Sequence, residues 1–202
     1  MAIIVDKVQK RKDIALSCKA LFLEKGLKNL TIAEVAKTAG VGKGTIYEYF
    51  KNKEEIVFEI VSSLMIRHNQ TKEHKLSQVT STREKTKVFF SIFYDDDEDF
   101  ELRELYKEFI SISLARDTSQ DTMMADFQSN TSAKYLLWFE KIIEEGIQKG
   151  ELIPNAQKLA RGLFVLGEGM FIYSQTTNNI QNVKKELYSF YETLFELIEV
   201  KK

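Results

Sequence analysis

Eleven consecutive residues, Lys43-Gly-Thr-Ile-Tyr-Glu-Tyr-Phe-Lys-Asn-Lys53, gather three ammonium groups and three hydroxyls. Such groups donate hydrogen bonds to phosphate oxygens and base edges, which is binding chemistry rather than bond-breaking chemistry. Ile46 and Phe50, four residues apart, mark the inward face of a short helix. Gly44, Thr45, Tyr47 and Glu48 then point outward, with Lys43 at the N-terminus. An outer face that is small, hydroxylic and basic at one end suits insertion into a DNA groove. Catalytic chemistry has little to draw on. His68 and His74 are six apart and so do not share a helical face, and Cys18 is the chain's single cysteine. No HExxH, phosphate-binding glycine loop or nucleophile elbow occurs, so an enzyme is disfavoured. The acidic run Asp95–Asp99 lacks the glycine and terminal glutamate of a calcium loop and reads as a solvated loop; no metal or cofactor is expected.

The outward face needs a scaffold, and the preceding residues describe one. Thr31 and Glu34 have capping-box spacing. Ile32, Val35, Ala36 and Ala39 recur at i, i+3, i+4 and i+7, one buried helical face. Gly40 supplies the left-handed residue that ends this helix, and Val41 plugs the turn. The pair is a helix-turn-helix. An earlier helix carries Ile14, Cys18, Leu21 and Phe22 on one stripe and ends at Gly26, which closes a three-helix core; Cys18 reads as a small core residue. Lys7, Lys10, Arg11 and Lys12 precede it as a basic arm. A fourth helix begins near Lys53-Glu54-Glu55, with acids at its N-terminus as the helix dipole favours, and turns Ile56, Val57, Ile60, Val61 and Leu64 inward.

Composition sets the frame. The 202 residues are 44% apolar, with one proline (Pro154) and nine glycines. Few breakers and continuous 3.6-residue periodicity predict an all-α fold. One cysteine excludes an intrachain disulfide. The N-terminus lacks a signal-peptide pattern and no segment approaches a membrane span, so a cytoplasmic location is expected. Residues 1–53 hold eleven Lys and Arg against five Asp and Glu, a charge of +6, whereas residues 54–202 carry −7. A basic head on an acidic body fits a DNA reader joined to a part that avoids DNA. The domains expected are therefore 1–53 for DNA binding and 54–202 for the body.

Within the body, polarity from Arg67 to Arg83 predicts a fraying helix and a connection. Val88, Phe89, Ile92 and Phe93 form a short apolar helix, and Leu102, Leu105, Tyr106, Phe109, Ile110 and Ile112 form another. After a break at 117–122, a long helix from Met123 to Lys149 ends at Gly150. Pro154 and Asn155 read as N′ and N-cap of the next helix, and the last runs from about Asn182. On these last two helices, Leu187, Phe190, Tyr191, Leu194, Phe195 and Ile198 form one apolar stripe. Ala160, Gly167 and Ser174 form a small-residue line, with Phe164 and Phe171 beside it. Two such helices from each of two protomers would make a four-helix bundle. Alternatively both stripes face the protomer's own core.

The stretch Gly-Lys-Gly-Thr-Ile-Tyr-Glu-Tyr-Phe-Lys-Asn-Lys-Glu-Glu, residues 42–55, resembles the recognition helix of TetR-family transcriptional regulators, and the similarity extends over roughly residues 10 to 60. The resemblance implies an N-terminal three-helix DNA-binding domain, a larger helical ligand-binding and dimerisation domain, and about nine helices in all. Carried onto this chain, Lys43 would reach guanine or phosphate, Thr45 a thymine methyl or phosphate, and Gly44 would admit close backbone approach. Tyr47, Tyr49 and Lys53 would meet phosphates, as would Thr31 across the groove. Gly42 stands where the family more often has Ser or Thr, and Glu48 adds a negative charge to the outer face. The implied partners are a palindromic double-stranded DNA operator, a second copy of the chain and a small-molecule effector. Candidate pocket residues are Phe89, Phe93, Phe109, Phe127, Trp138, Phe164, Glu168 and Phe171; so many aromatics point to a lipophilic ligand. The implied dimer seam is Phe164, Gly167, Phe171 and the stripe on the last helix. Control by a protein partner and a helical interaction module that binds no DNA are the competing readings.

Overall fold

The structure, a computed structural model, describes residues 6–91, 100–115, 122–177 and 179–201. The acidic run Asp95–Asp99, Ile92, Phe93, the break after Ala115 as far as residue 121, and the side chains of Ile112, Met123 and Phe127 lie outside the described residues. Ten α-helical segments occur among them: α1 (Lys7–Ser17), α2 (Lys19–Lys25), α3 (Ile32–Thr38), α4 (Lys43–Tyr49), α5 (Lys53–Ser77), α6 (Thr82–Phe89), α7 (Phe100–Ala115), α8 (Thr122–Gln148), α9 (Ala160–Thr176) and α10 (Val183–Ile198). α1 and α2 are one helix interrupted at Cys18, whose amide bonds only three residues back, to Ala15 O, at 3.0 Å. Counted together they make the nine helices expected, and the all-α fold stands. The only β pairing among the described residues is one bridge, Leu152 to Glu199.

Two compact units result: Met1–Asn69 with Asp99–Ala125, and Gln70–Glu98 with Asp126–Lys202. Compactness thus divides the chain elsewhere than at residue 53, because α5 runs unbroken through 25 residues and α7 packs on α2. The fraying expected after Arg67 does not occur. His68, Lys72 and Leu76 repeat every four residues and are all buried, so the polar composition of this stretch hid a buried face.

In the first unit Ile14, Cys18, Phe22, Val35, Ile46, Phe50, Ile56 and Ile60 are buried. Met65, rather than the expected Leu64, continues that face. The Cys18 thiol packs 3.6 Å from Val35 O, and burial pushes its pKa up. The basic residues expected to form an arm are instead helical. Asp6 caps α1, its Oδ1 accepting from the amides of Val8 (2.9 Å) and Gln9 (3.2 Å).

The second unit is built on aromatic rings. Phe90 packs 5.0 Å from Phe139, 5.1 Å from Phe89 and, stacked, 5.1 Å from Tyr191. α6 is tied down along its length. Thr82 donates both its amide and its hydroxyl to Glu151 Oε2 at 2.7 Å. Arg83 forks onto Glu199 at 2.8 and 2.6 Å, and Lys85 meets Glu145 at 3.0 Å. α8 ends near Gly150, with φ +71°, and Asn182 caps α10 by accepting from the Lys185 amide at 2.8 Å, both as expected. The expected cap at Asn155 is not there. Pro154–Leu159 is a 310 turn that starts after an extended Ile153, and α9 begins only at Ala160. Proline fixes its own φ and holds the preceding residue extended, which starts the turn without a side-chain cap.

The stripes expected at a dimer seam divide between core and surface. Leu187, Tyr191, Phe195, Ile198, Phe164, Gly167 and Phe171 are buried within the protomer. Phe190 is 40% exposed and Leu194 half-buried. On α9 the apolar residues facing outward lie on another line, Val165 (58% exposed) and Ile172 (40%), beside the open glycines Gly162 and Gly169.

Candidate nucleic-acid interface

The turn between α3 and α4 forms from local rules. Thr31 Oγ1 accepts from the Glu34 amide (3.3 Å), while Glu34 Oε2 accepts from the Thr31 amide (3.0 Å), a complete capping box. At the other end the Gly40 amide donates to Lys37 O (3.2 Å) and the Val41 amide to Ala36 O (3.0 Å), with Gly40 at φ +66°. That paired pattern is a Schellman stop, and its left-handed residue favours glycine. α4 follows with Gly42 at its N-cap and no side-chain cap, as the missing hydroxyl predicts. Ile46 and Phe50 hold it inward, at 0% and 2% exposure.

What remains outside is a small convex face. Lys43, Gly44, Tyr47 and Glu48 are exposed, Tyr47 by 61%; Thr45 and Tyr49 are half-buried. A Cβ built at Gly42 or Gly44 would meet nothing within 4 Å. Their own fold therefore does not require glycine. Gly44→Ala is expected to stabilise α4 by up to about 1 kcal/mol, read as a higher melting temperature of the head.

Two expected phosphate donors are already engaged. Lys53 Nζ donates to Leu27 O (2.8 Å) and Leu30 O (2.7 Å), clamping the loop before α3. The Thr31 amide and hydroxyl both donate to Glu34 Oε2, the hydroxyl at 2.9 Å. Glu34 is itself held by Lys25 at 2.6 Å. The Lys25 hydrogen bond first, then those from Thr31, lower the Glu34 pKa to about 2. Lys53 and Thr31 thus serve the shape of the head.

Arg11 was not foreseen as a site residue. Its guanidinium lies 4.3 Å from the Phe50 ring centroid and donates to Glu59 Oε2 at 2.9 Å. It also donates to Tyr49 O, at the C-terminus of α4, and faces Glu55 at 3.6 Å. One side chain thus ties the end of α4 to α1 and α5. The sequence offered one signal, an arginine among lysines, since only the planar fork serves several acceptors at once.

Of the expected effector residues, Phe89, Trp138 and Phe164 meet in the second unit, with Phe89 5.5 Å from Trp138 and 6.4 Å from Phe164. Phe171 and Glu168 lie on α9, and burial pushes the Glu168 carboxyl pKa up. Phe109 is not with them: it is buried in the first unit, where it stacks on Tyr106 at 6.1 Å.

Residues 18–60 match the family model for bacterial regulatory proteins of the tetR family. That segment spans the interrupted first helix, the capping box, the Schellman turn, α4 and the start of α5. This segment is a tetR-family DNA-binding domain. Similarity extends beyond the matched segment. An uncharacterised HTH-type transcriptional regulator of Bacillus subtilis, YvdT, is 28% identical over 177 residues, covering 83% of this chain and 85% of the relative. A TetR-family regulator from Cytophaga hutchinsonii superposes with a TM-score of 0.70 at 23% identity, over 99% of this chain and 100% of that one. A transcriptional regulator from Saccharomonospora viridis, crystallised in complex with choline, superposes with a TM-score of 0.75 at 17% identity, over 96% and 99%. At these identities the two structures speak for the TetR fold. Among the described residues no helix is long and apolar enough to cross a membrane, and no group of His, Cys, Asp or Glu could hold a metal ion.

Proposed function

We propose that this protein is a cytoplasmic homodimeric repressor of the TetR family that binds a palindromic operator and leaves it when a small lipophilic effector enters the body. The observation that carries the reading is the outer face of α4. Lys43, Gly44 and Tyr47 are exposed, and among the described residues nothing lies within 4 Å of a Cβ built at Gly44. On this reading Lys43 meets guanine O6/N7 or phosphate, Tyr47 donates to phosphate, and Thr45 touches a thymine methyl. Dimerisation is supported by the uncovered Val165 and Ile172 on α9 with Phe190 and Leu197 on α10. Two heads then read half-sites about 34–36 Å apart. Effector control is supported by the aromatic second unit and by the choline held by the S. viridis protein. A coupling of about 1–3 kcal/mol would change operator affinity roughly 5- to 150-fold.

The test is binding to an operator selected from random duplexes, measured across salt concentrations. Lys43→Ala is expected to weaken binding and reduce the salt slope by about 1, since one phosphate neutralisation is lost. Lys53→Ala should leave the slope unchanged while lowering the stability of the head, because its ammonium serves Leu27 O and Leu30 O. Unchanged affinity and slope in Lys43→Ala and Tyr47→Phe together would remove α4 as the reading helix. Binding that responds only to an added protein would replace the small molecule with a protein partner.

A further inference from the structure

We propose that Glu48 sets which base the protein selects, its carboxylate accepting from the exocyclic N4 amine of a cytosine in the major groove. The inference rests on the reading of α4 given above and adds its sequence choice. Ile46 and Phe50 are buried and fix the inward side of α4. Glu48 follows one and precedes the other by two residues, so at about 100° per residue it stands about 160° round from each. It is therefore the crest of the outer face. Gly44, one turn earlier on that line, adds no side chain, and a Cβ there would meet nothing within 4 Å among the described residues. Thr45 and Tyr47 lie to either side. Other carboxylates of the head serve the fold: Asp6 caps α1, Glu34 is held by Lys25 at 2.6 Å, and Glu55 and Glu59 face Arg11 at 3.6 and 2.9 Å. Glu48 is exposed and, among the described residues, makes no hydrogen bond or ion pair.

A crest residue of a helix laid in the major groove is nearest the base edges and farthest from both phosphate walls. An ionised carboxylate only accepts hydrogen bonds, and the donors on the groove floor are cytosine N4 and adenine N6. Adenine sets its N7 acceptor beside N6, where it would face the second carboxylate oxygen, whereas cytosine sets an apolar C5–H edge there. Guanine O6 and N7 and thymine O4 are acceptors and repel it. Cytosine is the base left. The same charge weakens every register in which α4 lies only against phosphates, since that mode of binding is electrostatic. Lys43 and Tyr47 thus hold the helix to a duplex, and Glu48 makes the hold conditional on one base pair.

The full-length protein, Glu48→Ala and Glu48→Gln are each carried through selection from random duplexes. The four base pairs at any position that changes are then compared by affinity at one salt concentration. The unaltered protein is expected to prefer cytosine at one position of each half-site by about tenfold or more over any other base. Glu48→Ala should accept all four bases there within about twofold, with the remaining positions unchanged. Glu48→Gln should turn the preference to adenine, since a carboxamide matches both N6–H and N7. Both variants alter an exposed side chain outside the core, so they should fold as the unaltered protein does. If all three proteins select one and the same sequence, the proposal is overturned. A position that depends on Glu48 but holds another base overturns the choice of cytosine. A uniform gain in the affinity of Glu48→Ala on every duplex, with base preference intact, also overturns it, because the carboxylate then only repels phosphate. Enrichment of no sequence by the unaltered protein would remove α4 as the reading helix and this inference with it. Enrichment that ignores Glu48 removes the inference alone.

Discussion

Replacing Arg11 with alanine is expected to loosen the recognition helix by about 2–3 kcal/mol, the range for charged hydrogen bonds in a sheltered setting. The residue bonds Tyr49 O, where α4 has run out of intrahelical donors, and it neutralises Glu55 and Glu59 on α5. Removing it leaves that carbonyl bare and two sheltered carboxylates facing each other. The readout is amide hydrogen exchange in α4, which should quicken by roughly thirtyfold or more while exchange in the second unit stays unchanged. Operator affinity should fall by more than one lost charge explains, because the face carrying Lys43 and Tyr47 no longer has a fixed angle. Arg11→Lys should recover only part, since a lysine cannot reach the carbonyl and the carboxylates in one geometry. Protection in α4 equal to that of the unaltered protein would show that Ile46 and Phe50 alone hold the helix.

The second large effect is expected at Gly167. A Cβ there would lie 2.8 Å from Phe90 Cε1 and 3.1 Å from the Tyr191 hydroxyl. Both rings are fully buried and stacked on one another, so neither can give way cheaply. The Tyr191 hydroxyl also has no hydrogen-bond partner among the described residues, and burial raises its pKa well above the ordinary range. Gly167→Val should cost about 3 kcal/mol through overpacking. Gly167→Ala should also destabilise, against the helix propensity that normally favours alanine by about 1 kcal/mol. Gly162 and Gly169 on the same helix supply the contrast, because a Cβ at either meets nothing within 4 Å. Alanine there should raise the melting temperature of the protomer. If those two glycines admit a partner helix instead, the same changes weaken the dimer in sedimentation velocity while leaving the protomer's secondary structure intact. Thermal melts of the three alanine variants, side by side, would show which line of α9 serves the protomer's own core.

Sequence alone determined the features whose cause is local. The Thr31–Glu34 box, the Gly40 stop, the α4 face from Lys43 to Tyr47 and the start of the last helix at Asn182 all depend on residues within one or two turns of each other. Their hydrogen bonds close within the segment, so spacing is enough. Tertiary structure alone decided where long side chains and two-faced helices go. Lys53, Arg11 and Lys72 are all cations to a sequence reader. One holds a loop, one clamps the recognition helix, and one lies buried among aromatic rings, because their partners are distant in sequence. Likewise α9 carries apolar residues on more than one line, and periodicity cannot say which of them the protomer buries. Phe90 and Tyr191, packed against Gly167, settle that choice and leave Val165 and Ile172 outside.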